Sequence, residues 1–245
     1  MTKKLKHLLP ACSILQHCSM DDGTLNEMVQ CISQLQSEFK TPIEVNKKLC
    51  SVHNELTHTS YKNFYQISLT DTSAENEEVT FEQLDEINQQ LSAGSMVDSY
   101  RRKQKLSTEE NNPMNETTFT IKTETYKRYE SLFNKVLGQF RGTPTRIRLV
   151  KLEAGASITP HIDYDPSYSV RVIIPIMAEP ECVNLFWVKN IVEAVHFTPG
   201  NAYFLNTGYK HAVINYSDKD RYTFMISLKD TKDIDHLLHD NLQIS

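Results

Sequence analysis

From residue 146 onward, short runs of β-type residues alternate with turn residues. Eight runs can be read: RIRLVKL, SITPHID, SVRVIIPI, VNLFWV, EAVHF, AYFLN, HAVIN and RYTFMISL. No helix-period stretch separates them, and eight short strands without crossover helices predict a two-sheet jelly roll or a barrel. Between the fifth and sixth runs, TPGN places Pro199 and Gly200 where a type II turn wants them, which predicts a hairpin there.

Upstream the pattern changes period. In TYKRYESLFNKVLGQF the apolar positions Tyr126, Tyr129, Phe133, Val136, Leu137 and Phe140 recur at three and four, one buried stripe of a helix over 126–140. It ends before Gly142 and Pro144, and it is expected to buttress one sheet from outside. LNEMVQCISQLQSEF reads as a further helix and NFYQISLT as a strand. SAENEEVTFEQLDEINQQ and SYRRKQKLSTEENNPMNET are charged and poor in large apolar side chains, a solvated helix and a loop. Together they make 72–118 a polar, lid-like segment. The expected organisation is one domain over 1–245: a helical and strand region to 143, a jelly-roll core over 144–230, and a closing helix or tail over 231–245. His236 and His239 in that tail are expected to be solvated, and His196 to be a core or edge histidine.

Composition removes several classes of function. The 245 residues carry a formal net charge of -5 with mixed signs, so no basic stripe awaits a phosphate backbone and nucleic acid is not an expected partner. The longest apolar runs, such as VRVIIPIM, are far short of a membrane span, and the opening MTKKLKHLLPACSILQHC is too brief for a secretory signal. A cytoplasmic protein is expected. Its five cysteines are odd in number and lack a CxxC pair, which predicts reduced packing thiols. In that setting the NET and NYS sequons at Asn115 and Asn215 carry no weight.

The chemistry is concentrated in TPHIDYDPSYSVR. On an extended chain residues i and i+2 face the same way, so His161 and Asp163 form a pincer that needs a third ligand. His211, which opens HAVIN on a late strand, is the best candidate. Two imidazoles and one carboxylate on a single face of a metal are the facial triad of non-haem Fe(II) oxygenases. Arg221 lies ten residues further on and heads the last strand, on the face shared by Thr223, Met225 and Ser227. A guanidinium there needs an anion, and the distal carboxylate of 2-oxoglutarate fits beside such an iron. Arg171 is a second cation, suited to a cosubstrate or substrate carboxylate or to a structural ion pair with Asp163 or Asp165.

PHIDYDPSYSVRVIIPI, GNAYFLNTGYKHAVIN and DRYTFMISLKD resemble the aspartyl/asparaginyl β-hydroxylase family of 2-oxoglutarate-dependent oxygenases, nearest its free-standing proline cis-4-hydroxylase branch. The resemblance covers roughly residues 144–230. It implies a mainly β double-stranded β-helix (jelly roll, cupin-like) with flanking helices. It also implies His161, Asp163 and His211 as iron ligands, Arg221 as the principal 2-oxoglutarate arginine, and Arg171 as a further cofactor-binding candidate. Fe(II) is the implied cofactor, with 2-oxoglutarate and O2 as cosubstrates. The implied reaction is hydroxylation of an amino acid, free or in a peptide or protein. The competing class is a redox-inert metal-binding jelly roll, a hydrolase or binding module; a hydrolase would need a general base, and no HExxH pair is present.

Overall fold

The computed structural model describes residues 5–41, 63–72 and 115–242. The helix read over SAENEEVTFEQLDEINQQ and most of the 72–118 segment therefore lie outside the described residues.

The eight strand runs fold as β5 (Pro144–Leu152), β6 (Ser157–His161), β7 (Val170–Met177), β8 (Cys182–Val188), β9 (Ile191–His196), β10 (Tyr203–Leu205), β11 (Lys210–Asn215) and β12 (Arg221–Leu228). They divide between two antiparallel sheets, one containing the order β10-β7-β12-β5 and the other β6-β11-β8-β9. The chain thus passes repeatedly from sheet to sheet, which is the winding of a jelly roll. Residues upstream of 143 extend the larger sheet. β1 (Cys12–Ile14) pairs with β10, and β2 (Phe64–Ser68) pairs with β5. A two-stranded ladder of β3 (Thr70–Asp71) and β4 (Ile121–Lys122) lies beside them.

The turn at TPGN forms as expected, but the hairpin does not. Gly200 takes φ +84° and the Asn201 amide donates to the Thr198 carbonyl at 3.3 Å. Yet β9 pairs with β8, while β10 lies between β7 and β1. β10 is buried at all three positions, whereas β9 is mostly exposed. A fully buried strand needs ladder partners on both edges, so the turn carries the chain across to the other sheet. A Cβ at Gly200 would meet Leu25 at 3.4 Å and the Met20 carbonyl at 3.6 Å, so the penalty of a side chain is conformational. Gly200→Ala is expected to lower stability by about 1–2 kcal/mol in denaturant melts. An unchanged midpoint would mean that the turn can relax to negative φ.

The larger sheet is apolar on its outer face. Tyr222, Phe224, Ile226 and Leu228 join Val170, Val172, Ile174, Ile147 and Leu149 in the main core, sealed by the helices. α1 (Asp22–Gln34) begins three residues before the predicted start because Asp21 caps it, accepting from the Thr24 amide at 2.6 Å. The helix predicted over 126–140 is broken at Tyr129 (φ -117°) into α2 (Glu124–Arg128) and α3 (Glu130–Leu137). Its stripe survives the break: Tyr126, Phe133, Val136 and Phe140 are buried, and the Phe133 ring stacks on Phe224 at 5.8 Å. A short α4 (Asp235–Leu242) follows β12, and His236 is exposed as expected.

With the main core outside the large sheet, the space between the two sheets is left to smaller apolar clusters around Phe186 and Phe197 and around Phe64 and Leu152. The inner face of β5, β7 and β12 holds the polar positions Arg148, Arg171, Arg221, Thr223 and Ser227, all buried. That inner face positions the site.

Candidate active site

His161 closes β6 and His211 is the second residue of β11, and the two are paired directly across the antiparallel ladder. Their rings lie 4.3 Å apart. β6 is an edge strand, which tolerates Pro160 next to His161. Asp163 lies just past the strand, where its amide donates to the Thr207 carbonyl at 3.0 Å. That bond turns the carboxylate back toward both rings. Asp163 Oδ2 is 3.8 Å from His161 Nε2 and 3.9 Å from His211 Nε2. One ligand atom from each of the three residues falls within a 4.8 Å cluster.

The two imidazoles are oriented in the same way. His161 Nδ1 lies 2.8 Å from the Thr159 carbonyl, and His211 Nδ1 lies 3.0 Å from the Tyr209 carbonyl. A carbonyl accepts only from N–H, so each Nδ1 carries the proton and each Nε2 lone pair points at the cluster. Burial, helped by the nearby His161 ring, pushes His211 down to about 4 against the pull of Asp163. At neutral pH the imidazole is uncharged and able to ligate. Two imidazole nitrogens and one carboxylate oxygen are a donor set suited to a divalent first-row metal.

Arg221 is 6% exposed and has no carboxylate partner among the described residues. Its Nη1 donates to Asn184 Oδ1 at 3.2 Å, its Nε to Thr223 Oγ1 at 3.2 Å, and its guanidinium lies 5.9 Å from the Phe197 ring. Burial lowers its pKa from the ordinary value, with Cys182 opposing. A cation desolvated against neutral partners is costly unless an anion joins it.

Arg171 is placed differently. The carboxylate that pairs with it directly is not Asp163 or Asp165 but Glu116, whose two oxygens accept from Arg171 Nη2 at 2.9 and 2.8 Å. Burial opposes the Arg171 charge, but Glu116, Asp163 and Tyr164 outweigh it and its pKa is raised. Glu116 also accepts from Arg146 at 2.7 Å and from the Ser227 hydroxyl at 2.6 Å. It stands at the start of a 3-10 turn, Glu116–Thr118, so the end of the segment read as lid-like is a buried anchor. Burial pulls the Glu116 carboxyl up, but Arg171, Arg146, Arg148 and Ser227 together hold it down at about 2.

Set against an ordinary 4.5, that depression is a stability contribution on the order of 3 kcal/mol. Because the folded value lies below the unfolded one, the contribution is complete above pH 4.5 and is lost as pH falls toward 2. Glu116→Gln is expected to be less stable at pH 6 and to lose less than the wild type on acidification to pH 3. Parallel denaturation curves for both proteins across that range would refute the assignment.

A second cluster of metal-type residues, His17, Cys18 and Asp233, is of another kind. Asp233 accepts from the Arg141 and Gly142 amides at 3.0 and 2.8 Å and pairs with His17 Nε2 at 3.0 Å. Burial and Asp233 push the Cys18 thiol up to about 12. With its oxygens engaged and the thiol protonated, this is a hydrogen-bonded hub that ties the N-terminal turn to the entry of β5. His196 lies on an edge strand, exposed, with Nδ1 2.6 Å from the Pro180 carbonyl. Arg148, Glu116 and Asn184 were not singled out from the sequence. The signal for Arg148 was present in RIRLVKL, where Arg146 and Arg148 share one face with the apolar Val150 and Leu152.

No helix among the described residues is long and apolar enough to cross a membrane. A family profile described as aspartyl/asparaginyl beta-hydroxylase matches residues 82–231, well over half of the chain. Among solved structures, the chain is similar to a prolyl-4-hydroxylase from Pseudomonas putida, with 11% identity over 90% of this chain and 93% of that one and a TM-score of 0.44. It is also similar to an oxidoreductase of the 2OG-Fe(II) oxygenase family from Burkholderia pseudomallei, with 12% identity over 68% of each chain and a TM-score of 0.36. A cupin domain from Bordetella pertussis Tohama I matches with 21% identity over 38% of this chain and 88% of that one, at a TM-score of 0.29. No curated protein matches the sequence.

Proposed function

The chain belongs to the aspartyl/asparaginyl β-hydroxylase family, and on that premise we propose that His161, Asp163 and His211 hold its iron and that Arg221 anchors its 2-oxoglutarate. The protein is an Fe(II)- and 2-oxoglutarate-dependent dioxygenase that hydroxylates an amino acid, free or in a peptide or protein. When bound, the iron supplies O2 activation, coupled to oxidation of 2-oxoglutarate to succinate and CO2 and to transfer of one oxygen atom into a C–H bond.

The observation that carries the residue assignment is one of charge and position. Two imidazoles and a carboxylate converge within 4.8 Å, on the same interior as a buried arginine that has no acid partner among the described residues. The Thr159 and Tyr209 carbonyls orient the imidazoles, and the Asp163 amide bond to Thr207 holds the carboxylate in place. Asn184 and Thr223 fix the plane of the Arg221 guanidinium, ready for a two-point contact with a carboxylate. Phe186, whose ring lies 6.2 Å from that of His211, and Phe197, 5.9 Å from the Arg221 guanidinium, are the apolar side chains next to these two groups.

The test is stoichiometric. Purified protein with Fe(II), O2 and 2-oxoglutarate is expected to form succinate in step with a hydroxylated product when given its amino-acid or peptide substrate. Metal-dependent hydrolysis of substrate without succinate would favour a redox-inert centre instead.

A further inference from the structure

The loop between β10 and β11, residues 206–209, orients two of the three metal-type side chains. The Thr207 carbonyl accepts from the Asp163 amide at 3.0 Å, and the Thr207 hydroxyl donates to the Tyr164 carbonyl at 3.1 Å. Two residues on, the Tyr209 carbonyl accepts from His211 Nδ1. What fixes the loop itself lies far away in the chain. Asn206, fully buried at its start, points Nδ2 at three carbonyls of the N-terminal segment: Lys6 at 2.9 Å, Pro10 at 3.1 Å and Leu9 at 3.4 Å. Its amide N–H donates to the Ala11 carbonyl at 2.9 Å, and its carbonyl accepts from the Tyr209 amide at 3.1 Å.

The same segment touches both ligand-bearing loops. Lys6 Nζ donates to the Gly208 carbonyl at 3.0 Å, and the Lys6 amide reaches Oδ2 of the buried Asp165, two residues past Asp163, at 3.5 Å. A Cβ at Gly208 would meet the Lys6 side chain at 3.0 Å and Asn206 Oδ1 at 3.3 Å, so segment and loop are in close contact there. The Asn206 side chain works through its donors, because Oδ1 is buried and meets no partner among the described residues. An amide group with two N–H bonds facing three acceptors is placed to gather carbonyls, and it leaves its own oxygen unsatisfied to do so. Closing the end of the β1–β10 ladder needs no such arrangement, since the Asn206 amide and the Ala11 carbonyl already continue it.

We propose that Asn206 is a positioning residue for the metal centre, and that through it residues 6–11 form part of the scaffold that sets Asp163 and His211. This inference rests on the reading of His161, Asp163 and His211 as metal ligands. It extends the centre to a segment upstream of the profile match at 82–231. The path is short. The Asn206 side chain fixes the start of the loop, the next residue's carbonyl holds the Asp163 backbone, and Tyr209, bonded to the Asn206 carbonyl, orients the His211 ring. Without the Nδ2 bonds the loop is released from residues 6–10, and a metal must then order donors that are otherwise held in place before it binds.

The experiment titrates the full chain with Mn(II) alone, following free Mn(II) by electron paramagnetic resonance and the unfolding midpoint by circular dichroism. Asn206→Ala is expected to raise the Mn(II) dissociation constant about 10- to 100-fold, the range for outer-shell partners of metal ligands. Stability falls as well, so the control is Val136→Ala, which opens a cavity in the main core outside the large sheet and also lowers the midpoint. Its dissociation constant is expected to stay within about twofold of the wild type, as for sites that share no partner. Asn206→Ser keeps one donor and is expected to fall between the wild type and Asn206→Ala; it serves in the same role should the Ala variant fail to fold. A Mn(II) affinity unchanged in the Asn206 variants, or reduced no further than in Val136→Ala, would overturn the proposal. His211→Ala in the same titration reports on the underlying reading. Undiminished Mn(II) binding there removes the metal assignment and this inference with it, whereas binding lost in His211→Ala and kept in Asn206→Ala removes this inference alone.

Discussion

His211→Ala is expected to abolish turnover and to weaken Fe(II) retention by more than about 100-fold, since even outer-shell partners of a metal are worth 10–100-fold. His211 is 7% exposed and its Nε2 faces the Asp163 carboxylate. Without it, one imidazole and one carboxylate remain, a pair that any exposed surface can offer. The fold should persist. The side chain projects into the gap between the sheets, whereas the main core lies on the opposite face of the large sheet. Competition with a ferrous chelator, succinate assay and circular dichroism on the same sample separate the three quantities. A His211→Ala protein that retained iron and activity would remove this residue from the centre.

Arg221→Ala is expected to weaken 2-oxoglutarate binding by on the order of 2–5 kcal/mol, which is the range for a desolvated charge-assisted pair. Iron retention should be unaffected. The stability effect should also be small, for a reason specific to this site. Truncating Arg171 would deprive the buried Glu116 carboxylate of one of its two arginine partners, but among the described residues Arg221 has only neutral partners, so its removal strands no charge. The measurement is the Michaelis constant for 2-oxoglutarate alongside the unfolding midpoint. An unchanged constant with a large fall in stability would make Arg221 a structural residue and move the cosubstrate elsewhere on the inner face.

The inward placement of these two residues was legible in the sequence, whereas neighbours such as Asn184 and Glu116 were not. Period-two alternation is a local property, so the eight strands could be read directly, and with them the faces of two chemically important segments. The face shared by Arg221, Thr223, Met225 and Ser227, and the common direction of His161 and Asp163, follow from it. The family profile agrees with the motifs and extends the likeness upstream to residue 82.

What local pattern does not contain is the partner of each element. TPGN encodes a reversal of the chain, and the turn formed, but whether the flanking strands pair depends on β7 and β1, which are distant in sequence. The apolar stripe over 126–140 is visible in the sequence, while the break at Tyr129 is not. Glu116 is the clearest case. It lies at the end of a polar, charged stretch whose composition favours solvent, and nothing near it in the chain argues for burial. Burial becomes favourable only when β5 and β7 bring Arg146, Arg148 and Arg171 to one place. The sequence by itself determined which way the residues of a strand face; the tertiary structure alone decided which cations find a carboxylate in the interior and which, Arg148 and Arg221, meet none among the described residues. Side-chain direction is set by neighbours one and two residues away, whereas charge compensation in a desolvated interior is set by whatever the fold brings within a few ångströms.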